Sequence, residues 1–224
     1  MLLIILFSHY LIDQPDLTIP KHGNYSVQLR FGPEGEIIGY GAIELLDRIS
    51  LGLSYGASNL IGAGNPNFYK LPGLQARLLI IEQSWMVPTI ICGFDNQGYG
   101  EYDDTASRYD IMSKGLYCQV GGIFEYPDLT ITPSIGANYS FEHGGHIDIF
   151  SGVKFKIGST ELLIDYTPNL NDPRDQNKGY LNSGIRFNFY NQLFFEFALR
   201  DMLDNSNKNQ QLNRMIKIGY SSAF

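Results

Sequence analysis

Charged residues are scarce in this 224-residue sequence. They make up 17% of it, against about 25% in soluble domains. The sequence also lacks a run of about 18 apolar residues, which is the length that a transmembrane helix requires. Basic residues are not in excess, and the formal net charge of −7 argues against a nucleic-acid partner, which would call for a basic patch.

Cysteine is limited to Cys92 and Cys118, which form neither a metal motif nor a disulfide framework. If the segments that carry them pair as a hairpin, a cross-strand disulfide is compatible with the geometry. Two separate thiols, buried or facing lipid, are the favoured interpretation.

Catalytic and cofactor motifs are missing as well. The sequence has no Gly-x-Ser-x-Gly motif and no glycine-rich loop that leads into a helix. His143-x-x-His146 places two imidazoles on one turn, but two ligands are too few for a metal site, so a solvated turn is favoured. We therefore predict that the protein is not an enzyme and has no cofactor.

What is present is a two-residue alternation of apolar and polar side chains. In 49–58, for example, Leu51, Leu53 and Tyr55 share one parity, while serine and glycine take the other. Alternation of this kind predicts strands, including 49–58, 146–157 and 160–167. About twelve strands without a helical stretch predict an all-β fold, an antiparallel up-and-down transmembrane β-barrel over residues 21–224. Residues 1–20 are predicted to be an N-terminal leader, either a degenerate signal peptide or a periplasmic lead-in.

Charged residues of both signs fall on the polar face of these strands. The candidates for the lumen are Arg30, Glu36, Glu44, Arg77, Lys154, Asp165, Arg186, Glu196 and Arg200. Mixed signs predict salt-bridged pairs and a narrow or blocked pore, whereas one sign would indicate an ion-selective channel. The apolar face carries more large side chains than a narrow lumen would hold, which favours a membrane barrel. A soluble, ligand-holding barrel with an apolar interior is the alternative.

Long and short connections between the predicted strands alternate. Segments 59–72, 95–110, 168–180 and 202–211 all follow odd-numbered strands, so we predict that they lie together, outside the cell. The second segment supplies candidates for contact with a glycan: Tyr99, Tyr102, Asp103, Asp104 and Tyr109. Tyrosines stack on sugar rings, and carboxylates accept hydrogen bonds from hydroxyls. The alternative is that these loops only fold over the barrel mouth.

The last ten residues alternate too, and they end on an aromatic side chain. A terminal aromatic fits the interfacial girdle of a membrane barrel. The pattern resembles the C-terminal assembly signal of bacterial outer-membrane barrels, here carried by Gly219, Tyr220 and Phe224. It predicts a bacterial outer-membrane location, with the barrel-insertion machinery, membrane lipid and lipopolysaccharide as partners.

Several stretches resemble a family of bacterial outer-membrane barrels called YjbH-like. Among them are Leu11-Ile12-Asp13-x-Pro15, Leu46-x-Arg48-x-Ser50-x-Gly52 and Gly93-Phe94-Asp95-x-Gln97-Gly98-Tyr99-Gly100. The resemblance implies an outer-membrane location and, for some members of that family, a link to exopolysaccharide production or export, with no catalytic residues. Two functions follow as hypotheses. One is a barrel for passage or export of a polar solute or polysaccharide, and the other is a structural or assembly barrel whose lumen is closed by its own charges.

Overall fold

The computed structural model describes residues 8–62, 64–170, 178–190, 192–205 and 213–224. Its strands, in chain order, are β1 (Asn24–Phe31), β2 (Ile37–Leu45), β3 (Ile49–Ser58), β4 (Asn67–Phe68), β5 (Gly73–Ile81), β6 (Thr89–Asp95), β7 (Tyr99–Asp103), β8 (Arg108–Ile111), β9 (Gly115–Gly121), β10 (Phe124–Glu125), β11 (Thr130–Ser140), β12 (His146–Ile157), β13 (Thr160–Thr167), β14 (Tyr180–Phe189), β15 (Leu193–Arg200) and β16 (Asn213–Ala223). Among these residues, no helix is long and apolar enough to cross a membrane.

Twelve of the strands close into one antiparallel barrel, and β4, β7, β8 and β10 are short additions outside that circuit. The circuit closes because β16 pairs with β1 and β9 pairs with β11. The predicted all-β, antiparallel barrel is therefore confirmed. Connections such as 46–48 and 158–159 lie at one end, called here the short-turn end. The opposite, long-loop end carries 59–72 and 96–114, together with two predicted loops, 168–180 and 202–211, of which 171–177 and 206–211 lie outside the described residues.

The two faces of the wall differ in polarity. Ile135 and Leu53 point outward and are 54% and 60% exposed, whereas Ser134 and Ser54, on the opposite parity, are 9% and 3% exposed. An apolar outer face requires a surrounding medium that is itself apolar, which a bilayer provides. The alternative of a soluble barrel with an apolar interior was therefore wrong.

Two glycines allow aromatic rings to lie flat against the inner wall. Gly219 is directly opposite Phe194, and Gly136 is directly opposite Phe150. A Cβ atom at either glycine would overlap the facing ring. Both rings are at most 2% exposed, so glycine here provides the close approach that lets an aromatic side chain fit inside a curved sheet.

A disulfide links β6 to β9 through Cys92 and Cys118. The antiparallel register places these residues directly opposite each other, with 4.1 Å between their Cα atoms. The favoured interpretation of two separate thiols was wrong, because it depended on a register that parity alone does not give.

Candidate functional site

Residues 8–20, called here the lumen segment, lie inside the barrel before β1 begins. The chain after this segment is held at the short-turn end, where His22 N donates to Asp47 Oδ1 at 2.8 Å and Gly23 N donates to Glu44 O at 3.0 Å. Part of the predicted leader is therefore enclosed by the wall. Residues 1–7 lie outside the described residues, and the assignment of 1–20 as a leader stays a prediction.

The lumen segment folds back on itself within the barrel. Leu11 N donates to Gln14 O at 2.8 Å, Asp16 N donates to His9 O at 2.9 Å, and Tyr10 and Pro15 form an antiparallel bridge. Residues 11–14 form the tip of this turn. No regular strand joins the segment to the wall in the described residues, so side chains provide most of its attachment.

Apolar side chains of the segment fill three gaps along the interior. Leu11 and Ile12 pack with Leu163, Ala198 and Met215, and both are at most 1% exposed. Leu17 packs with Leu79 and Ile91, and the Tyr10 ring lies 5.6 Å from that of Tyr40. These contacts remove apolar surface from water on both the segment and the wall.

Asp13, at the tip, is bound by two arginines from β1 and β15, the two strands that flank β16. Arg30 Nη1 lies 2.9 Å from Asp13 Oδ1, and Arg200 Nη2 lies 2.6 Å from Asp13 Oδ2. Asn182 Nδ2 adds a third donor at 3.3 Å. One carboxylate is therefore shared by two guanidinium groups whose side chains are no more than 3% exposed.

Asp165 of β13 binds the backbone of the same tip. Its Oδ2 accepts hydrogen bonds from the amides of Ile12, Asp13 and Gln14, at 3.0, 2.9 and 3.2 Å. Three N–H groups that converge on one carboxylate form an anion-binding nest. The wall thus binds the tip through both an anion and cations.

Asp16 organises the other arm of the segment. Lys154 Nζ lies 2.7 Å from Asp16 Oδ2, and Arg77 Nη2 donates to the carbonyls of Asp16 and Thr18 at 2.6 and 3.0 Å. Gln119 Nε2 donates to the same Asp16 carbonyl at 3.0 Å.

Arg186 and Lys217 form the remaining cationic contacts with the segment. Arg186 Nη2 donates to the carbonyls of Tyr10 and Leu11, and Lys217 Nζ donates to those of Leu11 and Ile12, at 2.9 to 3.1 Å. Both side chains also pair with wall carboxylates, because Glu196 lies 2.6 Å from Arg186 and 3.2 Å from Lys217.

The nine residues proposed from parity lie in the interior. Eight are at most 3% exposed, namely Arg30, Glu36, Glu44, Arg77, Asp165, Arg186, Glu196 and Arg200. The side chain of Lys154 is 14% exposed. Parity would also have found Glu161, which shares its face with Asp165, and Lys217, which alternates with Ile216 and Ile218 of the opposite face. The lumen segment has no such period, so nothing in its pattern marked Asp13 or Asp16.

A hairpin of β7 and β8 covers the long-loop end of the lumen. Tyr99 is 4% exposed, and the Arg30 guanidinium lies 3.7 Å from the centre of its ring. Gly100 N donates to Glu36 Oε1 at 2.7 Å, which attaches the hairpin to the wall. This segment was predicted as a loop, and its short paired strands contain a register shift that hides their period.

The buried rings of this hairpin correct one prediction. Tyr109 is 6% exposed, so neither Tyr99 nor Tyr109 is accessible for stacking on a sugar from outside. Tyr102 and Asp103 are partly exposed, and Asp104 is exposed and pairs with Lys70 at 2.8 Å. A glycan contact by these three residues stays a prediction.

Glu142 supports the same cover from the connection between β11 and β12. Its carboxylate accepts hydrogen bonds from Tyr109 N at 2.8 Å and Ser113 N at 2.9 Å. Burial raises the pKa of Glu142, and these N–H groups partly oppose that shift because they favour the ionised form.

Between this cover and the tip of the segment is a cavity of about 30 Å³, room for roughly two water molecules. Polar residues from both sides line it, among them Asp13, Lys114, Asn138, Asp148 and Asn182. The structure is thus closed at the long-loop end by the hairpin and farther down by the lumen segment.

The described residues offer little support for a metal site or for catalysis. Within the described part of the chain, no three His, Cys, Asp or Glu residues come together as a metal site. His143 and His146 stack with 5.8 Å between ring centres in an exposed turn. The expectation that the protein is not an enzyme stays a prediction.

The proposed assembly residues lie along the seam between β16 and β1. Gly219 pairs with Gln28, Tyr220 pairs with Val27, and Phe224 N donates to Gly23 O at 3.0 Å. Phe224 is 80% exposed at the short-turn end, where an interfacial aromatic is expected. Recognition by the insertion machinery stays a prediction.

Comparison with known proteins identifies the architecture. No protein-family model and no curated protein matches the sequence. Among solved structures, a KdgM porin aligns with a TM-score of 0.56 and 7% identity, over 90% of this chain and 99% of that one. The chain is an outer-membrane β-barrel. A structure described as KdgM porin in complex with disordered oligogalacturonate aligns with a TM-score of 0.52, 7% identity and the same coverage. These likenesses concern the fold, and the apolar outer face independently requires a bilayer.

Proposed function

We propose that this barrel passes a polar solute across the outer membrane and that the lumen segment closes it. The observation that carries the proposal is the way in which the lumen is filled. A separate segment occupies it, held by side-chain hydrogen bonds and ion pairs rather than by strand pairing. Such a segment can leave while all twelve wall strands keep their backbone partners.

The wall that would remain is polar. Gln28, Ser54, Gln119 and Asn182 line it beside the charged residues, and a lining of this kind suits water and hydroxyl-rich solutes. Two further observations favour a glycan as the solute. The sequence resembles YjbH-like barrels, some of which are linked to exopolysaccharide, and one structural neighbour is described in complex with an oligogalacturonate.

A structural or assembly barrel is the second candidate, and the apolar packing of the segment favours it. Leu11, Ile12 and Leu17 are at most 1% exposed, and their removal exposes apolar surface on the wall as well. Burial of a Leu or Ile side chain contributes about 1.5–3 kcal/mol. A barrel that never opens would keep these contacts permanently.

A reversible cross-link distinguishes the two candidates. Leu11 contacts the position that a Cβ atom at Gly152 would occupy, so the Leu11→Cys, Gly152→Cys variant should fix the tip to β12. Refolded full-length protein is placed in planar bilayers, and single-channel conductance is recorded. We expect openings in the wild type and in the reduced variant, and none in the oxidised variant.

Wild-type protein with and without reductant is the matched control, because reductant also acts on the native Cys92–Cys118 disulfide. Equal conductance of the oxidised and reduced variants would contradict closure by the segment. Silence of the wild type and of both forms of the variant would support the structural barrel.

A further inference from the structure

The wall cations that form ion pairs with the lumen segment outnumber the carboxylates that the segment provides. Arg30 and Arg200 share Asp13 as a carboxylate partner, and Lys154 pairs with Asp16. All three cations belong to the wall, and both carboxylates belong to the segment.

Arg77 joins this group through the segment backbone. In the described residues it has no ion pair within 4.0 Å, and it donates to the Asp16 and Thr18 carbonyls. Its Nε and Nη1 atoms are buried without a hydrogen-bond partner.

Other wall charges keep a wall partner when the segment is disregarded. Arg186 pairs with Glu161 at 3.2 Å and with Glu196 at 2.6 Å, and Lys217 pairs with Glu196. Arg30 has Glu36 as a more distant second partner, at 3.7 Å. Asp165 loses three amide donors but keeps Asn182 Nδ2 at 2.7 Å.

Withdrawal of the segment therefore removes two negative charges, Asp13 and Asp16, from the lumen and no Lys or Arg. Arg77, Arg200 and Lys154 lose their polar partners and Arg30 loses its nearer one. Among the wall anions, Asp165 loses three amide donors, and Asp95 loses the Tyr10 hydroxyl but keeps Gln75 Nε2 and Gln97 N. Cations held close together in a narrow lumen attract a counter-charge. Guanidinium groups in particular match carboxylates in geometry as well as charge.

We propose that the open lumen selects an anionic solute, whose carboxylates take the places of Asp13 and Asp16. This inference rests on the proposed function, since it describes the solute that the opened barrel would pass. Asp13 and Asp16 then act as internal substitutes for the solute. Segment and solute compete for the same cations, so the solute itself favours the open state.

The test uses the full-length Asp13→Asn, Asp16→Asn variant, which keeps side-chain shape and removes both negative charges. In planar bilayers under a KCl gradient we expect more frequent openings than in the wild type and a reversal potential of the sign for anion selectivity. Wild-type openings should give a reversal potential of the same sign, because both aspartates leave the lumen with the segment. Asp104→Asn, which alters an exposed loop pair with Lys70, is the matched control and should behave as the wild type does.

A second variant tests the cations directly. In the Asp13→Asn, Asp16→Asn background, citrate should block the current, and adding Arg30→Gln with Arg200→Gln should weaken that block by about tenfold or more, as expected when a charge-assisted contact is lost. Uncharged sucrose should block both proteins equally. If the double aspartate variant does not fold, Asp16→Asn alone serves, because its partner Lys154 is partly exposed.

The outcomes separate the two proposals. Cation-selective openings, or a citrate block that does not depend on the two arginines, would overturn the inference and leave solute passage standing. Absence of current in every variant, with folding shown by heat-modifiable gel mobility, would overturn solute passage itself.

Discussion

At the scale of single residues, aromatic rings pack closely against glycines of the neighbouring strand on the inner wall. Phe194 is buried because its cross-strand neighbour is Gly219, and Phe150 is buried in the same way by Gly136. The same residue, Gly219, was identified from the sequence as part of a terminal signal. The structure adds a packing reason for glycine at that position, which a sequence pattern does not contain.

Gly219→Ala should therefore destabilise the barrel. The added methyl group overlaps the Phe194 ring, and overpacking of this kind costs about 1–3 kcal/mol. Guanidinium unfolding followed by tryptophan fluorescence and gel mobility measures the change. Phe194→Leu in the same chain should restore part of the stability, because a smaller side chain leaves room for the methyl group. If Gly219→Ala alone unfolds at the wild-type midpoint, the packing argument fails.

Residue positions were predictable where a period existed and unpredictable where it did not. Alternation located Arg30, Arg186 and Glu196 because each lies on a strand whose neighbours fix its face. Asp13 lies outside any strand, and the contact of its amide with Asp165 spans 152 positions of sequence. A contact at that separation depends on closure of the whole barrel, so no local sequence pattern predicts it.

At the scale of elements, strand existence follows from the sequence more reliably than strand register. The predicted strands 49–58, 146–157 and 160–167 have the bounds found in the structure. The register between β6 and β9 could not be predicted, because the intervening 96–114 connection does not fix it. The disulfide follows from that register.

Removal of the disulfide tests its contribution to this pair of strands. Cys92→Ala with Cys118→Ala should preserve the barrel, because all backbone pairs between β6 and β9 remain. The free energy of unfolding should fall by about 2–4 kcal/mol, since the link spans 26 positions of the unfolded chain. Guanidinium unfolding of both proteins without reductant gives the difference. Reductant should lower the wild-type unfolding midpoint toward that of the variant and leave the midpoint of the variant unchanged. Equal midpoints of the two proteins, with and without reductant, would show that the disulfide is not stabilising.

At the scale of the whole molecule, the alternation of connections predicts its orientation. Antiparallel pairing of consecutive strands puts alternate connections at opposite ends, and the long connections 59–72 and 96–114 share one end, together with the shorter 32–36 and 141–145. In outer-membrane barrels the long connections face outward.

Single cysteines introduced at Asp104 and Ser107 should react with an impermeant maleimide in whole cells, and cysteines at Ser84 and Ser159 should not. The native cysteines are joined as a disulfide and give a blank in the parent protein. Labelling of Ser84→Cys or Ser159→Cys in intact cells would reverse the orientation.

The position of the lumen segment in the chain has a consequence for biogenesis. The segment immediately precedes β1, and the strands that bind its tip include β13, β14, β15 and β16, which arrive last during export. The seam between β1 and β16 joins residues nearly the whole chain apart, and contacts of such separation form late. The segment is therefore enclosed as the last strands arrive. Its contacts with β13 to β16 can guide these strands to their places in the barrel.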